Sequence, residues 1–253
     1  MLLGIDVGNT NIVAALIDNG EVIAQCRYAT AKNEKALYHK KQLDHLTSNQ
    51  VVSGVIISSV VPEVNDDLKE ACSELAEASP IFVSAGLDTG LDIRYDNPDK
   101  LGADLIAVAV GAVKRYGAPV IVIDIGTATT FSVINKNREY LGGMIAPGPL
   151  TSMMALASAA SQLPEIEPDF TDSVIGTNTI DCMKIGVFNA HSVMLDGMID
   201  KMKEHLELSD IRLVATGGFS EKITRMCSHK IICDQDLIFA GLYDIYKRNL
   251  NRQ

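Results

Sequence analysis

One carboxylate stands alone in an otherwise uncharged segment of the sequence. Asp104 lies in LGADLIAVAVGAV (residues 101–113), where every other residue is aliphatic or glycine. If the segment is a helix, it shares a face with Ala107, Val108 and Gly111, and that face should pack against another element. Burying a carboxylate without a partner is costly. The segment therefore predicts either a polar partner for this side chain or a role in proton chemistry.

A structural role for the same carboxylate is the alternative. Asp104 follows NPDK (residues 97–100) closely and so lies near the predicted start of its helix. The first turn of a helix favours an acidic side chain because the helix dipole is positive there. The two roles are compatible, and the residues themselves leave both open.

The composition excludes several classes of protein. The chain has 253 residues, 47% of them hydrophobic, and can bury one large core or two modest ones. Its net charge of −10 disfavours a dedicated binder of nucleic acid or of anionic membranes. No apolar run is long enough to span a bilayer, and no secretory signal is visible at the N-terminus. The scattered cysteines predict reduced thiols in a cytoplasmic protein; they are Cys26, Cys72, Cys182, Cys227 and Cys233.

The sequence contains two segments that resemble each other. GIDVGNTNIVAALIDNGEVIAQ begins at Gly4, and VIDIGTATTFSVINKNREYLGG begins at Val122. Each has an apolar strand that ends in Asp-x-Gly, a small polar loop, a second strand, a turn and a third strand. The matched pairs are Asp6 with Asp124, Gly8 with Gly126, and Asn9 with Thr127.

The correspondence continues further along the chain. Residues 54–71 and 211–226 each read as an apolar strand, a loop of small residues and a helix, and a short strand follows each at Ile81 and Ile231. The pattern predicts an α/β protein of two lobes, each a mixed sheet flanked by helices, with a cleft between them. We expect the boundary in KRYGAP, which gives lobes of residues 1–116 and 117–253.

The two Asp-x-Gly loops have the chemistry to bind phosphate. Glycine lets the backbone approach a ligand, and successive N–H groups with short polar side chains can hold phosphate oxygens. The aspartate before each glycine can hold a hydrated cation. A single loop of this kind would equally suit a tight turn. Two at matching positions, with TGG (residues 216–218) after a further strand, favour nucleotide binding, although no Walker A motif occurs.

The order of the longer motifs resembles one family. DVGNTN, ISSVVP, YDNP, LGAD, DIGTATT, YLGGMIAPG, VIGTNT and ATGG occur in the order found in type III pantothenate kinases, over about residues 2–249. These enzymes belong to the acetate and sugar kinase/actin-like superfamily. The resemblance implies duplicated ribonuclease H-like lobes of the actin-like ATPase kind. It also implies a dimeric cytoplasmic enzyme that transfers the γ-phosphate of ATP to the primary hydroxyl of pantothenate, the first step of coenzyme A biosynthesis.

The same resemblance assigns roles to individual residues. Asp104 matches the catalytic base, Asp124 matches the ligand of a monovalent cation (K⁺ or NH₄⁺), and Asp6 would lie near Mg²⁺. The expected ATP contacts are Asp6, Val7, Gly8, Asn9, Thr10, Asn11, Ile12, Val13 and Thr127. The expected pantothenate contacts are Tyr95, Gly102, Ala103, Asp104, Leu105 and Thr179.

This chain departs from the family pattern on the acceptor side. The family motif continues Gly-x-Asp-Arg, but Leu105 follows Asp104 here. Arginine can bind a carboxylate through two charge-assisted hydrogen bonds, and leucine offers none. A basic residue elsewhere, such as Lys100 or Lys184, could compensate. Otherwise the chain could be an inactive nucleotide-binding paralogue or a kinase of a different alcohol.

Overall fold

The structure is a computed structural model that describes residues 1–48, 50–76, 78–208 and 210–250. Its elements are β1 (Leu2–Val7), β2 (Asn11–Asp18), β3 (Glu21–Ala29), α1 (Ala36–Thr47), β4 (Gly54–Ser59), α2 (Asn65–Ser73), β5 (Ile81–Phe82), β6 (Asp92–Ile93), α3 (Ala103–Tyr116), β7 (Val120–Ile125), β8 (Ala128–Ile134), β9 (Glu139–Pro147), α4 (Pro149–Ala159), α5 (Thr179–Lys184), α6 (Ala190–His205), β10 (Arg212–Thr216), α7 (Ser220–Thr224), β11 (Ile232–Cys233) and α8 (Leu237–Asn249). Short 3₁₀ turns cover Pro62–Val64 and Pro98–Lys100, and a π-helical turn, Ile185–Asn189, joins α5 to α6.

Contacts divide the chain into two units. The first contains Met1–Gly117, Asn137–Leu141 and the segment from Asp236 onward, and the second contains Ala118–Lys136 and Gly142–Gln235. The chain thus leaves the first unit at Gly117, next to the predicted boundary. It returns with α8, however, so a single boundary at residues 116/117 does not describe the division.

The first unit contains a five-stranded sheet in the order β3-β2-β1-β4-β5. The central strand β1 is antiparallel to β2 and parallel to β4. Its sequence, LLGIDV, is apolar except for Asp6, as expected of a strand covered on both faces. On one face Leu3 and Ile5 pack with Leu43 of α1 and Leu68 of α2. On the other face, Gly4 lies beneath α8.

The second unit repeats this strand order. Its strands run β11-β10-β7-β8-β9, and β7 is antiparallel to β8 and parallel to β10. Ile121 and Phe131 of the sheet pack with Leu195 and Ile199 of α6 in the core. The predicted duplication of a mixed α/β lobe is therefore confirmed. One addition lies outside the repeat: β6 pairs in parallel with Glu139–Tyr140, the start of β9.

The helix that carries Asp104 is anchored by close packing against α8. α3 begins at Ala103, two residues later than the sequence suggested, and ends at Gly117, whose φ of 81° requires the left-handed region. The predicted apolar face is buried at Ala107, Val108 and Gly111. A Cβ at Gly111 would overlap the backbone oxygen of Leu237 at the start of α8.

The described helices include none that is both long enough and apolar enough to cross a membrane.

We predict that Gly111→Ala destabilises the protein by about 1–3 kcal/mol, because the added methyl overlaps the backbone of α8 rather than a movable side chain. Urea unfolding measures the change. Gly197→Ala is the matched control, since a Cβ on that α6 glycine meets nothing within 4 Å in the described residues. The control should gain roughly 0.5–1 kcal/mol from helix propensity. Equal effects of the two substitutions would contradict the close approach of α3 and α8.

Candidate functional site

The first Asp-x-Gly loop is a compact hairpin turn. Four residues, Gly8 to Asn11, lie between the paired residues Val7 and Ile12, and the N–H of Gly8 donates to the carbonyl oxygen of Asn11 at 3.0 Å. Thr30, just after β3, fixes the loop from the side. Its hydroxyl donates to the carbonyl oxygen of Gly8 at 2.6 Å, and its N–H donates to that of Thr10 at 3.1 Å. The tip is exposed at Asn9 and Thr10, as a ligand-binding loop requires.

Asp6 lies at the carboxyl end of β1 beside a buried polar atom. It is in register with Ser58 on the parallel strand β4, so the two side chains project from the same face of the sheet. Ser58 is fully buried, and its hydroxyl oxygen has no hydrogen-bond partner within the described residues. An unsatisfied buried hydroxyl is costly. Its position next to a carboxylate fits a site completed by a water or a hydrated cation.

The second Asp-x-Gly loop is one residue shorter. Only Gly126, Thr127 and Ala128 lie between the paired residues Ile125 and Thr129, and the N–H of Gly126 donates to the carbonyl oxygen of Ala128 at 2.9 Å. The two loops therefore correspond in position but differ in shape.

The beginning of α4 lies directly against this second loop. The carbonyl oxygen of Thr127 accepts from the N–H of Gly148 at 2.9 Å and from the hydroxyl of Thr151 at 2.6 Å. A Cβ on Gly148, the N-cap of α4, would overlap the carbonyl oxygen of Gly126. The exposed Thr127 is thus next to the positive end of an eleven-residue helix, a location that favours phosphate or another anion.

Asp124 is enclosed by the loop after β10. It is in register with Thr216, and a Cβ on Gly217 would overlap the Asp124 carboxylate oxygen Oδ1. The same Cβ would lie 2.7 Å from the carbonyl oxygen of Ile125. A carboxylate oxygen and a backbone carbonyl oxygen beside the same glycine are hard oxygen ligands of the kind that K⁺-like and Ca²⁺-like cations prefer. The TGG segment selected from the sequence therefore lies beside Asp124.

The base of the second hairpin is braced by a buried histidine. The hydroxyl of Thr129 and Nε2 of His191, on α6, lie 2.8 Å apart, and both side chains are buried. Burial lowers the pKa of His191 below its usual value, which keeps the ring neutral near pH 7. This pair orients the strand that follows Thr127 without adding charge to the loop.

Asp104 is the second residue of α3, and its carboxylate turns back over the helix start. Oδ1 accepts the backbone N–H of Leu105 at 2.8 Å, and a Cβ on Gly102 would overlap this oxygen. Burial raises the pKa of the Asp104 carboxyl, and the backbone hydrogen bonds at Leu105 and at its own N–H oppose that rise. The first-turn role is thus present in the structure. It leaves Oδ2 for a further partner, and the raised pKa suits a proton acceptor.

The remaining acceptor-side residues lie in different units. Tyr95 follows β6 in the first unit, is 40% exposed, and packs edge-on against Tyr140 with ring centres 6.5 Å apart. In the same unit, Gly102 to Leu105 form the start of α3. In the second unit, Thr179 is the exposed first residue of α5, after the N-cap Asn178.

The two candidate replacements for the missing arginine differ in their surroundings. Lys184 Nζ lies 3.0 Å from Asp169 Oδ2, so its charge is already used in an ion pair. Lys100 is exposed in the turn that precedes α3, and the described residues include no carboxylate within ion-pair distance of it. Of the two, Lys100 is the one with its charge available near Asp104 in the first unit.

Sequence reasoning missed the residues that shape the loops from outside. Thr30, Gly148 and Thr151 were not assigned a role, although Gly148 ends the YLGGMIAPG motif. A glycine followed by proline and a threonine does signal a helix start, but its contact with Thr127 depends on the tertiary fold. The described residues contain no group of three or more His, Cys, Asp or Glu side chains arranged to hold a metal ion.

Taken together, each unit has a hairpin loop with an exposed tip after a strand whose penultimate residue is aspartate. The first unit adds a partly buried carboxylate at the start of a helix. Such groups can bind phosphate and cations and can accept a proton from a nearby hydroxyl.

Comparison with known proteins agrees with this chemistry. A family model described as type III pantothenate kinase matches residues 2–201. A type III pantothenate kinase from Halalkalibacterium halodurans is 40% identical over 255 residues, covering 99% of this chain and 100% of the relative. One from Shouchella clausii is 39% identical, covering 98% and 100%.

Solved structures show the fold. A protein from Campylobacter jejuni named for the Baf family of transcriptional activators has a TM-score of 0.64 at 22% identity, covering 98% of this chain and 99% of that one. A ROK family glucokinase from Streptomyces griseus, in complex with glucose and AMPPNP, has a TM-score of 0.58 at 15% identity, covering 100% and 99%. At these identities the likeness concerns the fold alone.

We predict that Asp104→Asn is more stable than the natural protein near neutral pH. Because the folded state raises the pKa of this carboxyl, its ionised form is less favourable in the folded chain than in the unfolded one. Protonated Asp104 contributes to the free energy of unfolding at low pH, and this contribution is lost as the pH rises through the raised pKa. The gain in the variant should therefore grow from about pH 4 to pH 7, as measured by urea unfolding across this range.

Asp99→Asn is the control for this measurement, since it removes an exposed carboxylate from the preceding turn. A pH trend of the same size in both variants would show that general charge, and not the burial of Asp104, is responsible.

Proposed function

The chain belongs to the family of type III pantothenate kinases, and we propose how its residues divide the phosphorylation of pantothenate between them. The enzyme is a phosphotransferase that uses ATP and acts in coenzyme A biosynthesis. The single observation that carries the assignment of roles is Asp104, a partly buried carboxylate with a raised pKa at the start of α3.

The phosphates of ATP are bound by backbone-rich loops. Residues Gly8 to Asn11 supply N–H groups and short side chains at an exposed tip that Thr30 holds in place. Residues Asp6, Val7, Ile12 and Val13 form the strand ends that fix this loop. Thr127 contacts ATP from the second loop, supported by the beginning of α4. Backbone donors of this kind bind phosphate although the protein as a whole is acidic.

Cations complete the charge balance at the phosphates. We assign a monovalent cation, K⁺ or NH₄⁺, to Asp124, whose carboxylate lies beside the Gly217 turn and the carbonyl oxygen of Ile125. We assign Mg²⁺ to Asp6, through water, next to the unsatisfied hydroxyl of Ser58. When bound, these ions neutralise negative charge on the transferring phosphoryl group.

Asp104 acts on the acceptor hydroxyl. Its Oδ1 accepts the N–H of Leu105, and we assign to Oδ2 the hydrogen bond from the primary hydroxyl of pantothenate. As the new O–P bond forms, the bond from the γ-phosphorus to the bridging oxygen breaks and ADP leaves. The hydroxyl proton passes to this carboxylate, whose raised pKa makes it a better proton acceptor than an exposed aspartate. The other residues of the site contribute by positioning the two substrates, as is usual in enzymes that transfer phosphoryl groups.

The pantothenate carboxylate needs a cationic partner that Leu105 does not provide. Lys100, exposed in the turn before α3, is our candidate for that role. The other residues that we assign to pantothenate are Tyr95, Gly102, Ala103 and Thr179. A lysine binds a carboxylate as a point charge and without the two-pronged geometry of arginine. We therefore expect this chain to bind pantothenate more weakly than it would with an arginine at position 105.

A homodimer in the cytoplasm is the remaining part of the proposal. Several large apolar side chains are exposed in the second unit; they are Ile145, Leu150, Met154, Val174 and Ile175, with exposed fractions of 40–76%. Leu150 and Met154 also line a cavity of about 350 Å³ along α4. Exposed apolar surface of this extent is typical of a subunit interface. All five cysteines are free thiols, as a reducing compartment requires.

We predict that Asp104→Asn lowers kcat by about 10²–10⁴-fold, because the amide keeps the hydrogen bond to Leu105 but cannot accept the proton. Phosphopantothenate formed from ATP, Mg²⁺, K⁺ and pantothenate is measured directly. Asp99→Asn, which removes an exposed carboxylate a few residues away, should retain normal turnover. A kcat for Asp104→Asn within about threefold of the natural value would exclude this residue as the base.

We further predict that Leu105→Arg lowers KM for pantothenate by about ten- to a hundredfold, with little change in kcat, because a guanidinium adds two charge-assisted hydrogen bonds to the substrate carboxylate. Leu105→Met, which conserves an apolar side chain of similar volume, is the control and should leave KM near its natural value. An unchanged or higher KM for the arginine variant would mean that the acceptor carboxylate lies away from position 105.

A further inference from the structure

A cavity of about 330 Å³ in the second unit is surrounded by positive charge. It lies beside β11, the edge strand of the second sheet, and between the start of β10 and the end of α6. Four basic side chains line it: Lys203, Arg212, His229 and Lys230. The described residues that line it include no carboxylate, although Asp200 lies against His229. In a chain with a net charge of −10, this concentration of positive charge needs an explanation.

Three of the four basic side chains at this cavity form no ion pair within the part of the chain that the structure describes. Among the described residues, Lys203, Arg212 and Lys230 have no carboxylate within 4 Å, whereas His229 Nε2 lies 2.8 Å from Asp200 Oδ1. Three like charges close together repel one another, and an anion placed among them would remove that repulsion. An anion bound at this cavity would therefore be attracted by three cations that no carboxylate of the described residues neutralises.

The other part of the lining is apolar. Ile211 and Leu213 are buried at 7% and 6% exposure, and Ile232 on the edge strand is 39% exposed. Ligand sites commonly combine an apolar surface with a few polar groups, in volumes of about 300–1,000 Å³. A ligand that fits both parts of the lining has phosphate-like charge at one end and an apolar group at the other.

A second cavity extends the basic surface. It has a volume of about 460 Å³, shares His229 and Lys230 with the first, and adds Arg225. Glu221 also lines it, and its carboxylate oxygen Oε2 lies 4.0 Å from Nη2 of Arg225. An elongated anion could pass from one cavity to the other across Lys230.

This region is separate from the nucleotide-binding loop of the same unit. Arg212 is in register with Val120 at the start of β7, whereas Thr216 is in register with Asp124 at its end. Four residues of extended strand separate the two positions by about 13 Å. The cavity is at the opposite end of β10 from Gly217, so it is not part of the site assigned to ATP.

We propose that this cavity is a second anion-binding site, which takes a small organic molecule that carries two or more phosphate-type charges and an apolar group. Lys203, Arg212 and Lys230 bind the charges, and Ile211, Leu213 and Ile232 contact the apolar part. Because the site does not overlap the residues assigned to catalysis, the proposal stands independently of the kinase assignment.

Isothermal titration with pyrophosphate and with phenyl phosphate tests the proposal, using the full chain at low and at high salt. Arg212→Gln/Lys230→Gln should weaken pyrophosphate binding at this site by about tenfold per side chain removed, and salt should weaken binding to the natural protein. Lys136→Gln/Lys201→Gln removes the same charge from exposed positions of the second unit and should bind as the natural protein does. Thermal unfolding confirms that both variants fold.

Amide chemical shifts locate the bound anion. Shifts at residues 211–213 and 229–232 support the proposal, and shifts confined to residues 8–11 and 126–128 overturn it. Equal binding by the two double variants also overturns it. A single-stranded oligonucleotide that binds these residues more tightly than either small anion would replace the small-molecule ligand with a nucleic acid and so reject the proposal.

Discussion

The structure of the first unit depends on the close packing of α8 against its other elements. Gly111 of α3 and Gly241 of α8 place each helix against the backbone of the other, with no space for a Cβ at either position. Beneath the helix, Gly4 of β1 lies against Phe239, and Gly54 of β4 lies against the ring of Tyr246. Glycines on three different elements thus form the surface that receives one helix, and packing of this density tolerates little change in volume.

This packing has a direct effect on the chemistry. α3 cannot shift along α8 without a clash of backbone atoms, so the position of its first turn is fixed. Asp104 lies in that first turn, and its carboxylate is oriented by a hydrogen bond to the adjacent backbone. The catalytic role that we propose for Asp104 would require placement within fractions of an ångström. Here that placement comes from helix packing and local hydrogen bonding and requires no charged partner.

The two halves show how far a duplicated architecture can diverge while its topology stays the same. The strand order and the strand directions around β1 and β7 agree, and the penultimate residue of each of these strands is an aspartate. The connecting loops differ by one residue, and their supports are unrelated: a threonine after β3 in one half, the start of α4 in the other. Similar elements therefore present different groups to a ligand.

The sequence predicted the features that arise from local pattern. Alternation of apolar residues and the repeated Asp-x-Gly loops indicated the strands, their duplication and the position of Asp104 near a helix start. The sequence did not predict that α8 returns to the first unit, because nothing in LIFAGLYDIYKRN specifies which distant glycine it will meet. It also missed Thr30 and Thr151, whose role arises only when a loop far along the chain folds next to them.

Departures from the family pattern were visible in the sequence, but their significance depended on the surroundings. Leu105 in place of arginine was evident from the motif. Whether Lys100 or Lys184 had its charge available could be decided only from coordinates, since Asp169 lies fifteen residues before Lys184 and outside any helical spacing. Ion-pair partners between distant residues are set by tertiary structure, and composition does not reveal them.

The return of α8 to the first unit also affects the order in which the two units fold during synthesis on the ribosome. Residues Ala118–Lys136 and Gly142–Gln235 emerge before α8, so almost all of the second unit can collapse while the first still lacks the helix that fills its glycine-lined surface. The sheet of the first unit is synthesised first. The face against which α8 packs stays incompletely covered until α8 has left the exit tunnel. A chain that ended before Leu237 would lack α8, and its glycine-lined surface would be exposed to chaperones and proteases.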